Sequence, residues 1–167
     1  MAKKGLTIEQ HVSNQKMIVG WREWVTLPQL QIPAIKAKVD TGARTSALHA
    51  FFVEPVWENG VHQVRFLIHP LQRRTDIVRA CVATVVDQRL VTDSGGHREE
   101  RYVIETLVQI GALERNIEIT LTNREEMGFR MLLGRTALRQ RMVVDPALSY
   151  QTGRTLGRAY RAPGSQC

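Results

Sequence analysis

The sequence is short of aromatic residues, of cysteine and of long apolar runs. Aromatics make up 6% of its 167 residues, so a core would have to come from Val, Ile and Leu. Its two cysteines, Cys81 and Cys167, cannot make a disulfide framework. Cys81 sits in an alternating apolar run and reads as a small buried hydrophobe. Cys167 ends a polar stretch. No run approaches the roughly 20 apolar residues of a membrane helix, so no membrane partner is expected. Met1 to Gln10 lacks the apolar centre of a secretory signal, and the expected location is the cytoplasm. The five histidines, His11, His49, His62, His69 and His97, form no His-Glu-x-x-His, and there is no Cys-x-x-Cys. His62 and His69 are seven apart, which on a strand puts them on opposite faces. His49 reads as a core or hydrogen-bonding histidine. The phosphate loop Gly-x-x-x-x-Gly-Lys is also missing. Neither a metal nor any other cofactor is expected.

What is present is positive charge. The formal net charge is +7 and the pI about 10.0. Such a surface favours a polyanionic partner. The charge is spread, without a compact basic block or aromatic interleaving, so RNA is not the expected partner. A hydrophobic fraction of 43% suits one globular domain.

Short strand-like runs follow one another along the chain. Residues 1–16 are polar and aperiodic and read as a flexible leader. Met17 to Leu27 is strand-like, ended by Pro28. In Ile32 to Val39, Ile35, Ala37 and Val39 share one face, and Lys36 and Lys38 the other. Glu58-Asn59-Gly60 signals a hairpin joining Phe51–Trp57 to Val61–His69. Thr75 to Val86 alternates again. Arg89 to Ile104 reads as a hairpin with a Gly95-Gly96 tip. Tyr102–Ile110, Asn116–Leu121 and Met142–Val144 complete the strands. Thr136–Gln140 is the one helical turn. Residues 151–167 read as a basic flexible tail around a domain spanning 17–150. Eight or nine short strands at roughly ten-residue spacing call for an all-β barrel or sandwich.

Two stretches carry the chemistry. Val39-Asp40-Thr41-Gly42-Ala43 ends a strand in a carboxylate, a hydroxyl and a glycine. Asp-Thr-Gly also suits an ordinary turn. Some 90 residues on, Leu132-Leu133-Gly134-Arg135 runs into the helical turn. Here Gly134 would let backbone cross tightly beneath the Asp40 loop. Asp93-Ser94-Gly95 repeats the first pattern. Its flanks Gly96-His97 and Arg98–Arg101 fit an exposed hairpin tip better than a second site.

Together these stretches resemble the retropepsin-like aspartic proteases. The nearer resemblance is to a bacterial family labelled ATP-dependent zinc protease and, more recently, retropepsin-like aspartic endopeptidase RimB. It rests on Gly20–Val25, Ala37–Ala50, Glu100–Ile104, Leu121–Arg124 and Met131–Arg135, and covers roughly Ile18 to Tyr150. The zinc and nucleotide halves of the label find no residues here. The resemblance implies a closed β-barrel with one short C-terminal helix, and a homodimer. It implies an aspartic endopeptidase in which two copies of Asp40 share a proton and activate water. Thr41, Gly42, Ala43, Leu133, Gly134 and Arg135 would support that site. It further implies an acidic substrate, extending to glutamylated ribosomal protein tails. The other expectation is a non-catalytic module of the same fold that binds an acidic or ribosomal partner.

Arg44 departs from the retroviral pattern, where an acid at this position pairs with the arginine equivalent to Arg135. Arg44 is either solvated, or paired with Glu105 or Glu125, or lines the cleft and selects acidic side chains. Gly95 and Gly96 are the corresponding candidates for a mobile flap over the substrate.

Overall fold

The computed structural model describes residues 15–124 and 128–161. Eleven strands occur among them: β1 Met17–Val19, β2 Arg22–Leu27, β3 Ile32–Val39, β4 Ser46–His49, β5 Phe51–Glu58, β6 Val61–Ile68, β7 Arg79–Thr92, β8 Arg98–Ile110, β9 Leu113–Thr122, β10 Met131–Leu133 and β11 Met142–Val144. The described residues hold one α-helix, α1, Arg135–Leu138, with 3-10 turns at Pro28–Leu30 and Thr155–Tyr160. The fold is therefore all-β with one short helix, as the strand spacing indicates.

Nine strands form one sheet in the order β2-β3-β10-β4-β9-β8-β7-β6-β5. A further pair, Thr26 with Gln109, joins β2 to β8. The sheet therefore curls back on itself around an aliphatic core. Ile35, Leu48, Ile104, Ile119, Met131 and Leu133 are all essentially inaccessible. As the low aromatic content requires, Phe66 is the one aromatic side chain among the largest fully buried ones. A second sheet pairs β1 in parallel with β11, Ile18 opposite Val143.

Alternation along β2 and β3 decides what faces outward. Glu23, Val25 and Leu27 are buried, whereas Arg22 and Trp24 are half-buried. Ala37 and Val39 point inward, Lys36 is half-buried and Lys38 exposed. The antiparallel register sets Arg22 opposite Lys38 and Trp24 opposite Lys36. Directly paired residues share a face, so these four side chains stand together on the outside.

Several expected boundaries differ. The Met17–Leu27 run is two strands, broken at Gly20, where a Cβ would come within 2.2 Å of the Leu148 carbonyl oxygen. The Arg89–Ile104 hairpin and the Tyr102–Ile110 strand merge into the long β7–β8 pair. Met131–Leu133 is a strand in its own right, parallel to β3. Part of the expected tail packs on the sheet. Gly157 lies against Trp24, and the Tyr160 hydroxyl donates to the Ala34 carbonyl. Most of the expected leader, and residues 162–167, lie outside the described residues.

Candidate anion-binding site

The Asp40 loop is held from within. The Asp40 Oδ1 accepts from the amides of Gly42 at 2.9 Å and Ala43 at 3.2 Å, closing an Asx turn. Its own amide donates to the Leu133 carbonyl at 2.8 Å. The two stretches linked by sequence pattern thus meet in space. Below the loop, Gly134 passes so close that a Cβ would sit 2.6 Å from the Thr45 carbonyl carbon. Its amide donates to the buried Ser46 hydroxyl at 3.0 Å. The Arg135 guanidinium donates to the Thr41 carbonyl at 3.1 Å and the Gly42 carbonyl at 3.0 Å. Arg135 needs no acidic partner here, which accounts for a basic residue at position 44. The Gly42 carbonyl, in the loop expected to support the site, thus accepts from Arg135.

Arg44 is exposed and lines a cavity of about 460 Å³ with Arg89, Arg115 and Arg139 but also Glu105 and Glu118. Arg89 there is already paired with Asp87 and Glu118. Burial, followed by the Arg141 and Arg139 charges, lowers the Arg115 pKa. Charge of both signs makes this a poor selector of acids. Glu125, the other expected partner of Arg44, lies outside the described residues.

Gly95 and Gly96 do form the tip of the β7–β8 hairpin, and Gly96 takes φ +83°. Asp93 organises that tip. Its Oδ1 accepts from the amides of Gly95 and His97, both at 2.9 Å. Its other oxygen pairs with Arg124. These bonds, led by the His97 amide, lower the Asp93 pKa. The Arg124 amide in turn donates to Nδ1 of the buried His49 at 3.1 Å. His49 is thus a hydrogen-bonding core histidine. His69 stacks on Phe51 and His62 on Trp57.

A second cationic feature lies elsewhere. A groove of about 800 Å³ opens over the outer face of β2 and β3. Arg22, Lys36, Arg73, Arg74 and Arg130 line it, with Trp21, Trp24 and Phe129, and no carboxylate lines it among the described residues. Arg74 is neutralised by Asp76. Aromatic rings hold other cations in place: Arg22 lies 4.5 Å from the Trp21 ring centre and 4.7 Å from that of Tyr150. Lys36 lies 5.2 Å from Trp24. Gln72 donates to the Gly128 carbonyl, tying the 71–74 loop beside Phe129. Such a groove suits a flexible anion with several negative charges. Sequence reading missed it, because its residues come from three distant segments and each reads alone as a solvated charge. The usable signal was Trp24 and Lys36 on one face of paired strands.

No described helix is long and apolar enough to cross a membrane. No cluster of three or more potential metal ligands occurs among the described residues.

Residues 18–155 match the family described as retropepsin-like aspartic endopeptidase RimB. A crystal structure of a Legionella pneumophila protein of unknown function superposes with a TM-score of 0.71 at 27% identity, over 83% of this chain and 99% of that one. A protein of Shewanella pealeana named probable alpha-L-glutamate ligase is 45% identical over 85% of this chain and 31% of its own length. One of Parasynechococcus marenigrum with the same name is 47% identical, over 83% of this chain and 30% of its own. This chain therefore spans about a third of the curated relatives it matches. These names overturn the reading as an aspartic peptidase, a hydrolase. The relatives are named for joining glutamate through a new bond, the reverse of hydrolysis. None is named a zinc protease.

Proposed function

This chain belongs to the RimB-like family, and from that premise we propose that it is an acidic-chain-binding module serving glutamate ligation. One observation carries the reading: among the described residues, the groove over β2 and β3 is lined by five basic side chains and by no carboxylate. A chain built by a glutamate ligase would carry one negative charge per residue and would match that lining. Aromatic walls reduce the freedom lost by Arg22 and Lys36 on binding, since they are already held on rings. In this reading Asp40, with Thr41, Gly42 and Ala43 over the floor of Leu133, Gly134 and Arg135, organises the loop that follows β3. It keeps Lys38 and Lys36 in register beside the groove. Arg44, Gly95 and Gly96 are outside it.

The curled sheet, joined at Thr26 and Gln109, supports a closed barrel as the family fold. A homodimer is supported by the β1–β11 sheet, which leaves Ile18 56% and Val143 49% exposed.

The test is calorimetric titration with a poly-L-glutamate peptide at physiological salt, where weak long-range attraction is screened. Saturable binding is expected, reduced at least about tenfold in Lys36→Glu/Arg73→Glu, because charged hydrogen bonds are worth about 1.5–3 kcal/mol each. Equal affinity of wild type and variant would overturn the assignment.

A further inference from the structure

Two arginines in the described residues are buried to the same degree and treated differently. Arg101 and Arg130 are each 8% exposed. Arg101 meets the Glu99 carboxylate at 2.9 Å, and Glu99 also accepts from Thr122. The Arg130 Nε is buried with no hydrogen-bond partner, and no described carboxylate pairs with it. Arg130 lines the groove. A second groove arginine repeats the pattern. The Arg22 guanidinium lies near two rings, Trp21 and Tyr150, yet its buried Nε has no hydrogen-bond partner either.

A buried Nε–H donor without an acceptor is costly, and native structures rarely leave one so. An anion entering the groove would remove that cost. Both arginines line the same groove. Arg22 is opposite Lys38 on β3, Lys38 is level with Leu132 on β10, and Arg130 lies two residues before Leu132. The Trp21 and Phe129 rings, edge to face with centroids 5.8 Å apart, neighbour Arg22 and Arg130 in sequence. The groove therefore holds two arginines, each with an Nε–H donor that lacks an acceptor, beside aromatic rings.

We infer that this pair forms a dicarboxylate pocket that takes the terminal residue of an acidic chain. This deepens the proposed function and rests on it. An internal glutamate brings one carboxylate. A terminal glutamate brings two, the α- and the γ-carboxylate, a few bonds apart. Two guanidinium groups with free Nε–H donors match two carboxylates, each able to accept in the bidentate manner. The module would then hold the growing end of a glutamate chain, the end at which a ligase acts. Lys36 and Arg73 would meet the carboxylates behind it.

Penta-glutamate with a free C-terminal carboxylate is compared with its C-terminal amide, on wild type, Arg130→Gln and Arg22→Gln. Titration calorimetry at physiological salt reads affinity, and thermal melting checks folding. Glutamine removes the unpaired charge, so the variants should melt no lower than wild type. The free acid is expected to bind wild type about tenfold or more tightly than the amide, by the value of one charged hydrogen-bonded pair. Each substitution should weaken the free acid well beyond the amide and so erase most of that difference. Equal binding of acid and amide by wild type overturns end recognition and leaves the acidic-chain reading intact. A retained acid preference in both variants also overturns it. Absence of binding by either peptide defeats both readings together.

Discussion

Gly134 is the residue on which the Asp40 region turns. Its φ is −85°, so no left-handed conformation demands glycine. Space does: a Cβ would meet the Thr45 carbonyl carbon at 2.6 Å and oxygen at 2.7 Å, and the Arg44 oxygen at 2.9 Å. All three are backbone atoms and cannot swing aside. Gly134→Ala should lower unfolding free energy by about 1–3 kcal/mol, the range for forced overpacking, as urea denaturation would show. The pairing of Asp40 with Leu133-Gly134 was legible because both segments carry a distinctive local order. The state of Arg135 was not. Nothing in sequence says that its guanidinium takes the Thr41 and Gly42 carbonyls, since any carbonyl looks alike in a sequence.

The β7–β8 hairpin is the element whose behaviour depends on pH. Asp93 fastens the tip by accepting two amides and by pairing with Arg124. Its folded-state pKa is lowered, chiefly by the His97 amide. A depressed carboxylate stabilises its surroundings above its unfolded pKa, about 3.9, and the effect fades as pH falls through the lower folded value. The tip should therefore stay ordered through neutral and mildly acid pH and loosen only below about 4. Asp93→Asn should speed amide exchange at Gly95 and His97 at pH 7 and leave β8 unaffected; equal rates in wild type and variant would count against this tether. The hairpin was legible from Gly95-Gly96, whereas its anchor was not. Arg124 lies 31 residues away, and that contact follows from β8–β9 pairing rather than from local pattern.

At the scale of the whole molecule, the proposed homodimer rests on the β1–β11 sheet. Ile18 and Val143 are cross-strand partners, and both are about half exposed. Burying such a pair in a homodimer gains roughly 25 cal/mol per Å² of apolar area. Val143→Asp should shift a dimer toward monomer in sedimentation equilibrium without lowering the melting temperature of the monomer. An unchanged mass distribution would rule out this face. The all-β fold class was legible from alternation and turn residues, whereas the strand count was not: eight or nine were expected and eleven are described, because the short β1 and β10 and the breaks around Gly20 and Ala50 carry little alternation. The groove was not, for its walls are assembled by register across residues 21–36, 71–74 and 128–130. A single sequence records the charges but not which of them stand side by side.

The parallel pairing of β1 with β11 has one more consequence. Met17 donates to the Arg141 carbonyl at 2.9 Å, and Glu23 receives the Gln151 amide at 2.5 Å. The first and last described strands are thus neighbours, and the segment after β11 returns along β2. A unit wired in that way can be spliced into a longer polypeptide like a cassette, because both junctions need only a short span and neither strains the other.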